Sequence, residues 1–294
     1  MAFKEQVKEL NKTDVIYKGG TSTIYRLDDG RLYKELTQET REACLLSGLD
    51  YEKKVMNTSA KSVSEILSPI SVTYEGKICT GFTMEEIVGP TLNSYDEDYT
   101  LLQRANFKEL FEIYWKIERV VKKANKVGIV MPDLCTCDNI ILLPDGTIKF
   151  IDFDGMQFGK TDKALSVSSS LENAVYYLKS KKFSDSYFHF TSELDKTSLT
   201  ILLFLVVFNV NLNNIGKISP YTNRMITLKE IFDILGLQDD KFMSKVEANL
   251  SLDKKGAYLA DDLRRIVQNY EMAIAELPEH LQQNGRFVKR LFRK

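Results

Sequence analysis

The chain is poor in the residues that most often carry metal and nucleophile chemistry. It has two histidines, His189 and His280, in 294 residues. That leaves little room for a zinc site or a Ser-His triad. Its four cysteines, Cys44, Cys79, Cys135 and Cys137, lack the spacing of a disulfide scaffold. Cys135-Thr136-Cys137 has no second Cys/His pair at zinc spacing, so both thiols read as small, reduced loop residues. Long hydrophobic runs are missing too. The longest, Ile201–Phe208, has eight residues, far short of the roughly 20 that span a bilayer. Met1–Asp14 is polar and charged, without a signal-peptide core. The expectation is a cytoplasmic protein. An excess of charge of one sign is also lacking: 40 Lys and Arg oppose 41 Asp and Glu, for a net charge of −1. Nothing global draws the chain to nucleic acid or acidic lipid, and no nucleic-acid partner is expected.

Apolar residues make up 44% of the chain and charged residues 28%, which supports a packed core. The length fits one large domain or two lobes. The most informative stretch is Gly128–Gly155, GIVMPDLCTCDNIILLPDGTIKFIDFDG. Two apolar runs, Ile140–Leu143 and Ile148–Ile151, flank a Pro144-Asp145-Gly146 turn and predict a β-hairpin. Asp133 and Asn139 precede the first strand and Asp152 follows the second. A hairpin returns the chain, so these three side chains can converge at one end. Two carboxylates and an amide are hard oxygen ligands, which suit Mg²⁺ better than zinc.

Upstream, Val15–Lys34 reads VIYKGGTSTIYRLDDGRLYK. Three strands are expected, joined at Gly19-Gly20 and at Asp28-Asp29-Gly30. Glycines let backbone N–H groups approach a phosphate, and Thr21, Ser22 and Thr23 can add hydroxyl donors. Lys34 is expected to end the third strand. Glu39–Asn57 reads as helical with a break at Gly48. Two strands joined at Glu75-Gly76 follow, over Ile66–Leu92. Tyr99–Val127 carries an apolar stripe at helical spacing and stops at Gly128. Asp195–Val210, DKTSLTILLFLVVFNV, is apolar all round and must be buried, with Asp195 a candidate N-cap. Helices are also expected at 227–236, 240–249 and 257–277. Met1–Asn11 reads as a helical packing arm. The end, Arg286–Lys294, has five basic and four apolar residues. Such a tail can make weak contact with acidic lipid or a partner, although basic helix ends of this kind are common.

Taken in order, these features resemble the protein-kinase-like superfamily over residues 13–275. The resemblance implies an α+β, two-lobed fold: a small antiparallel β lobe over 1–89 and a larger, mainly helical lobe over 90–294. It implies ATP and Mg²⁺ as cofactors and a protein or small hydroxyl compound as acceptor. By this likeness Asp133 and Lys34 are catalytic, and Asn139 and Asp152 hold the metal. Gly19, Gly20, Thr21 and Ser22 cover the phosphates. Glu52, eighteen residues after Lys34, pairs with it, with Glu39 and Glu42 as competitors. Met84, Glu85 and Ile87 frame the adenine. Asp195 anchors the catalytic loop, and 156–194, with Ser166, Ser168, Ser169 and Ser170, matches the activation segment.

The pattern also departs from the family. Met131-Pro132 precede Asp133 where His-Arg is usual. Asn139 lies six rather than five positions after Asp133, leaving Asp138 at the usual offset. Asp152-Phe153-Asp154 replaces Asp-Phe-Gly, and a third Asp resembles small-molecule phosphotransferases and atypical kinases. Three readings follow: an atypical Ser/Thr protein kinase, an aminoglycoside- or choline-kinase-like phosphotransferase, or a nucleotide-binding pseudokinase serving as an interaction module.

Overall fold

The structure is a computed structural model. It describes residues 3–60, 63–92, 107–159, 190–208, 212, 227–237, 239–251 and 254–266. The fold is α+β, with one six-stranded sheet and a set of helices. The strands are β1 (Phe3–Gln6), β2 (Lys12–Lys18), β3 (Ser22–Leu27), β4 (Leu32–Leu36), β5 (Pro69–Glu75) and β6 (Ile78–Met84). Their order across the sheet is β1-β5-β6-β4-β3-β2.

The sheet is mixed rather than purely antiparallel, because β1 runs parallel to β5 in register Phe3↔Ser71 to Gln6↔Tyr74. The expected N-terminal helix is thus corrected to a strand followed by a 3-10 turn, Val7–Glu9. Pairing with the free edge of β5 overrides the local apolar spacing. Glu5 adds to the hold by accepting from Arg31 at 2.9 Å and from Ser71. The other pairings are antiparallel, and β3 sets Ile24 opposite Lys34. Lys34 therefore lies inside β4, not at its end.

Between β4 and β5 the chain forms α1 (Gln38–Leu46) and α2 (Tyr51–Ala60), broken near Gly48 as expected. Thr37 caps α1 by accepting from the Thr40 N–H. In α2, Tyr51, Lys54, Val55 and Thr58 are buried, a three- and four-residue spacing that turns one face inward.

The helical part starts with α3 (Phe107–Lys126). Its buried stripe includes Leu110, Phe111, Tyr114, Ile117, Val121 and Ala124. After Gly128, β7 (Ile129–Val130) pairs with β10 (Gln157–Phe158), and β8 (Ile140–Leu142) pairs with β9 (Ile148–Phe150) as the expected hairpin. Next comes α4 (Ser192–Leu202), continued by a π-helical turn, Leu203–Val207. It is buried from Leu194 to Leu202. Its cap is Thr191, which accepts from the Glu193 N–H, so Asp195 is not the N-cap. Then follow α5 (Leu228–Leu235), α6 (Asp240–Ser251) and a helix over 260–266. Buried Glu118 of α3 accepts from the Leu259 and Ala260 N–H groups at 2.7 and 2.9 Å, which satisfies two donors where that last helix begins. The segment with Ser166–Ser170, the part of the expected 257–277 helix beyond 266 and the tail 286–294 lie outside the described residues.

One hydrophobic cluster joins the sheet to the helices. It contains Val55 of α2, Phe82 of β6, Phe150 of β9 and Leu202 of α4. Each such side chain contributes roughly 1.5–3 kcal/mol on burial. Close approach of β6 to β4 requires Gly81: a Cβ there would meet the Lys34 carbonyl oxygen at 1.9 Å. A side chain at that point must push the Lys34 backbone aside. Gly81→Val should therefore destabilise the chain by at least about 1–3 kcal/mol, read as a lower denaturant midpoint. An unchanged midpoint would mean that the two strands separate freely.

Candidate functional site

The hairpin delivers its residues as its geometry requires. Ile151 N–H donates to the Asn139 carbonyl at 3.0 Å, closing the open end of β8 and β9. That bond puts Asn139 and Asp152 side by side in space. At the other end, Gly146 N–H donates to Leu143 O at 2.8 Å and tightens the turn. Lys116 of α3 donates to Gly146 O at 2.6 Å, so the tip is fixed from outside.

Asp133 faces the same end. Its Oδ1 accepts from Thr136 Oγ1 at 2.6 Å and its Oδ2 from Asn139 Nδ2 at 3.1 Å. The Asn139 amide nitrogen is thus spent on Asp133, which leaves its carbonyl oxygen as the atom able to face a cation. Burial pushes the Asp133 carboxyl above the usual carboxylate range, while the bonds from Thr136 and Asn139 pull it back. Asp133, Asn139 and Asp152 all line one cavity of about 20 Å³, room for about one water-sized occupant.

Lys34 reaches this place from the sheet. Its Nζ bonds Asp152 Oδ1, and it pairs with Asp154 Oδ1 at 2.8 Å. Lys34 is buried. Burial alone would depress its ammonium, but Asp154 and Asp152 outweigh that and hold its pKa above the ordinary value. The two carboxylates differ. The Asp152 side chain is 32% exposed and that of Asp154 is 2% exposed. Burial raises Asp152 despite Lys34, whereas for Asp154 the Lys34 charge overcomes burial and lowers the pKa. Asp152 is also the one described residue other than glycine with positive φ, at 61°. The left-handed backbone is tolerated best by Asn, Asp and Gly, and here it turns the carboxylate back toward the sheet. Phe153 next to it is fully buried against Phe82, with ring centroids 4.5 Å apart.

The expected Lys34–Glu52 pair does not form. Glu52 pairs with Lys4 at 2.7 Å, with side chains 38% and 63% exposed. The reason is helical phase: Tyr51 and Val55 face inward, and Glu52 is turned away by about 100°. What α2 sends inward is the Tyr51 hydroxyl, which donates to Asp154 Oδ2 at 2.9 Å. Lys54, also buried, donates to the Met156 carbonyl. Glu39 and Glu42 sit on α1, away from these contacts. Tyr51 and Thr136 are thus polar residues missed from the sequence, and the contact of Asp154 with Lys34 is not foreseen there. The inward spacing of 51, 54, 55 and 58 is the signal that would have found Tyr51.

The remaining candidates fall around this centre. Gly19 and Gly20 form the turn between β2 and β3, where Gly19 N–H donates to Ser22 O at 2.9 Å. The Tyr17 ring lies 2.7 Å from the place a Gly19 Cβ would take, so a side chain there would have to move that exposed ring aside. Thr21 is exposed and Ser22 buried. Thr21 O accepts from the Thr37 N–H at 3.0 Å, tying the turn to the start of α1. Met84 is buried at the end of β6; Glu85 is exposed and Ile87 half-buried just after it. Their neighbour Glu86 takes a bidentate pair from Arg26 at 2.6 and 3.0 Å. Among the described residues no group of three or more His, Cys, Asp or Glu could hold a metal ion by itself. Nor is any described helix long and apolar enough to cross a membrane.

Beneath the Asp133 loop sits Asp195 of α4. Its Oδ1 accepts from the Met131 N–H at 2.8 Å, and its Oδ2 from Asn125 Nδ2. Asn125 also donates to Ile129 O at 2.9 Å and accepts from the Tyr258 hydroxyl at 2.6 Å. The anchoring expected of Asp195 is thus present, made from inside the helix. Neither a family model nor a curated protein sequence matches the chain.

Burial pushes the Asp195 carboxyl up to about 7, against the pull of Asn125 and the Met131 N–H. In the unfolded chain it returns to about 3.9. A raised folded pKa stabilises below the unfolded value, and that contribution is lost as pH rises to the folded value. Asp195→Ala should cost about 1–3 kcal/mol near pH 4, in denaturant melts, and speed hydrogen exchange at the Met131 amide. The gap to wild type should narrow as pH rises to 7. A gap that widens with pH would reverse the assignment.

Proposed function

We propose that the chain is an ATP- and Mg²⁺-dependent phosphotransferase of protein-kinase-like fold. On this reading 1–89 is the small lobe and 90–294 the large one. The observation that carries the proposal is the convergence at the hairpin end. Lys34 comes from the sheet to Asp152, while Asp133 and Asn139 line the same cavity. A buried cation, a paired base and hard oxygen donors are what phosphoryl transfer requires, because its catalysis is mostly positioning and charge neutralisation.

The roles follow from the chemistry. Lys34 holds nucleotide phosphate oxygens. Asn139 and Asp152 are two oxygen donors that fit Mg²⁺, an ion that keeps several waters and substrate oxygens in its shell. Bound there, Mg²⁺ would neutralise charge on the phosphates. Asp133, oriented by Thr136 and Asn139, takes the proton of the acceptor hydroxyl. The new O–P bond forms to the γ-phosphorus as the β–γ bridging O–P bond breaks, and ADP carries away the electron pair. The Gly19-Gly20 turn covers the phosphates, and the backbone near Met84, Glu85 and Ile87 receives the adenine.

Ser or Thr of a protein is the acceptor we favour. A small hydroxyl compound is the alternative. A nucleotide-binding module without transfer is a further reading, favoured by Asp152 already being held by Lys34. Labelled ATP with Mg²⁺, casein and a panel of small amino alcohols and aminoglycosides tests all three. Wild type should transfer label, and Asp133→Asn should lower the rate by about 10²–10⁴ while still binding nucleotide. Label on casein supports the protein kinase, and label on a small compound the alternative. Binding without transfer leaves the module. If wild type binds no ATP, the whole reading fails.

A further inference from the structure

Lys34 has two anionic partners that are not equivalent, and the difference between them points to a division of labour. Asp154 is closed in. One oxygen meets Lys34 at 2.8 Å and the other takes the Tyr51 hydroxyl at 2.9 Å, with the side chain 2% exposed. Asp152 also meets Lys34, but its side chain is 32% exposed and it lines the small cavity with Asp133 and Asn139. Glu52 is committed to Lys4 on the outer face of α2. A buried ammonium needs an anion at all times, since its desolvation must be offset by charge. If Asp152 were its sole partner, any cation that drew Asp152 away would leave Lys34 with no protein carboxylate to hold it in place for the nucleotide phosphates.

We propose that Asp154 is the positioning residue for Lys34. It holds the ammonium while Asp152 exchanges Lys34 for the cation that accompanies the nucleotide. Tyr51 is the means by which α2 takes part: it fixes Asp154 by a hydrogen bond instead of reaching Lys34 with a carboxylate. Three elements then meet at one carboxylate: β4 through Lys34, α2 through Tyr51, and the end of the β8–β9 hairpin through Asp154 itself. A displacement of α2 would reach Lys34 through that carboxylate. The inference rests on the nucleotide reading above and goes beyond it, because it assigns a role to two residues outside that mechanism.

A double-mutant cycle on the full chain tests it, with Mg-ADP affinity by calorimetric titration as the readout and a thermal melt beside each variant. Asp154→Asn should weaken Mg-ADP binding by about ten- to a hundredfold, and Asp154→Glu should recover part of the loss. Glu52→Gln should change affinity less than about twofold, as expected for an exposed pair. In a Lys34→Met background, Asp154→Asn should cost nothing more, because its effect passes through the missing ammonium. If Asp154→Asn does not fold, Tyr51→Phe takes its place: an about three- to tenfold loss with Lys34 present, none without it. Equal losses in both backgrounds would make Asp154 merely structural and overturn the proposal. So would a large loss in Glu52→Gln with none in Asp154→Asn. In either case the nucleotide site itself would stand. No Mg-ADP binding by wild type would overturn the nucleotide reading and this inference together.

Discussion

The buried ammonium of Lys34 is the constraint on which the site depends. It lies inside a strand, beside the Phe82 ring, where an unpaired charge could not persist. Its stability therefore requires that Asp152 and Asp154 be brought to it from a segment more than a hundred residues later, as the separations of 118 and 120 show. The sheet, the hairpin and α2 have to agree on one place. Breaking such a pair by removing one partner is costly, commonly about 3–5 kcal/mol. The arrangement is thus strongly specified even though it adds little net stability compared with an apolar core.

The hairpin meets that requirement through local chemistry. Its tight turn and its closing bond to Asn139 O fix where Asp152 emerges, and the left-handed backbone of Asp152 turns the chain there. The loop that carries Asp133 is fixed separately, from below, by Asp195 and Asn125. Two independent supports thus converge on one cavity. The left-handed turn at Asp152 and the buried anchor under the Asp133 loop hold the cavity from two sides.

Much of this was legible from residue types and spacing. The hairpin, the strands around Gly19-Gly20, the break at Gly48 and the buried α4 all follow from local patterns. So does the meeting of Asp133, Asn139 and Asp152. The failures have physical causes. Phe3, Val7 and Leu10 have a spacing compatible with a helix, but an open sheet edge captures Phe3–Gln6, and edge pairing leaves no local signal. Glu52 lies at a plausible separation from Lys34, yet separation along the chain does not report helical phase. The buried face is set by Tyr51, Val55 and Thr58, and Glu52 lies outside it. In the sequence Asp154 stands out only as a departure from Asp-Phe-Gly. Its contacts with Lys34 and Tyr51 reach across 120 and 103 positions, which no local pattern encodes.

On the proposed reading Lys34, Asn139 and Asp152 together form a metal-dependent nucleotide site. This reading is tested most directly by titrating ADP into wild type and Asp152→Ala, with and without Mg²⁺. Mg²⁺ should strengthen ADP binding to wild type, and Asp152→Ala should abolish this gain. Equal ADP affinity with and without Mg²⁺ in wild type, unchanged in Asp152→Ala, would contradict it.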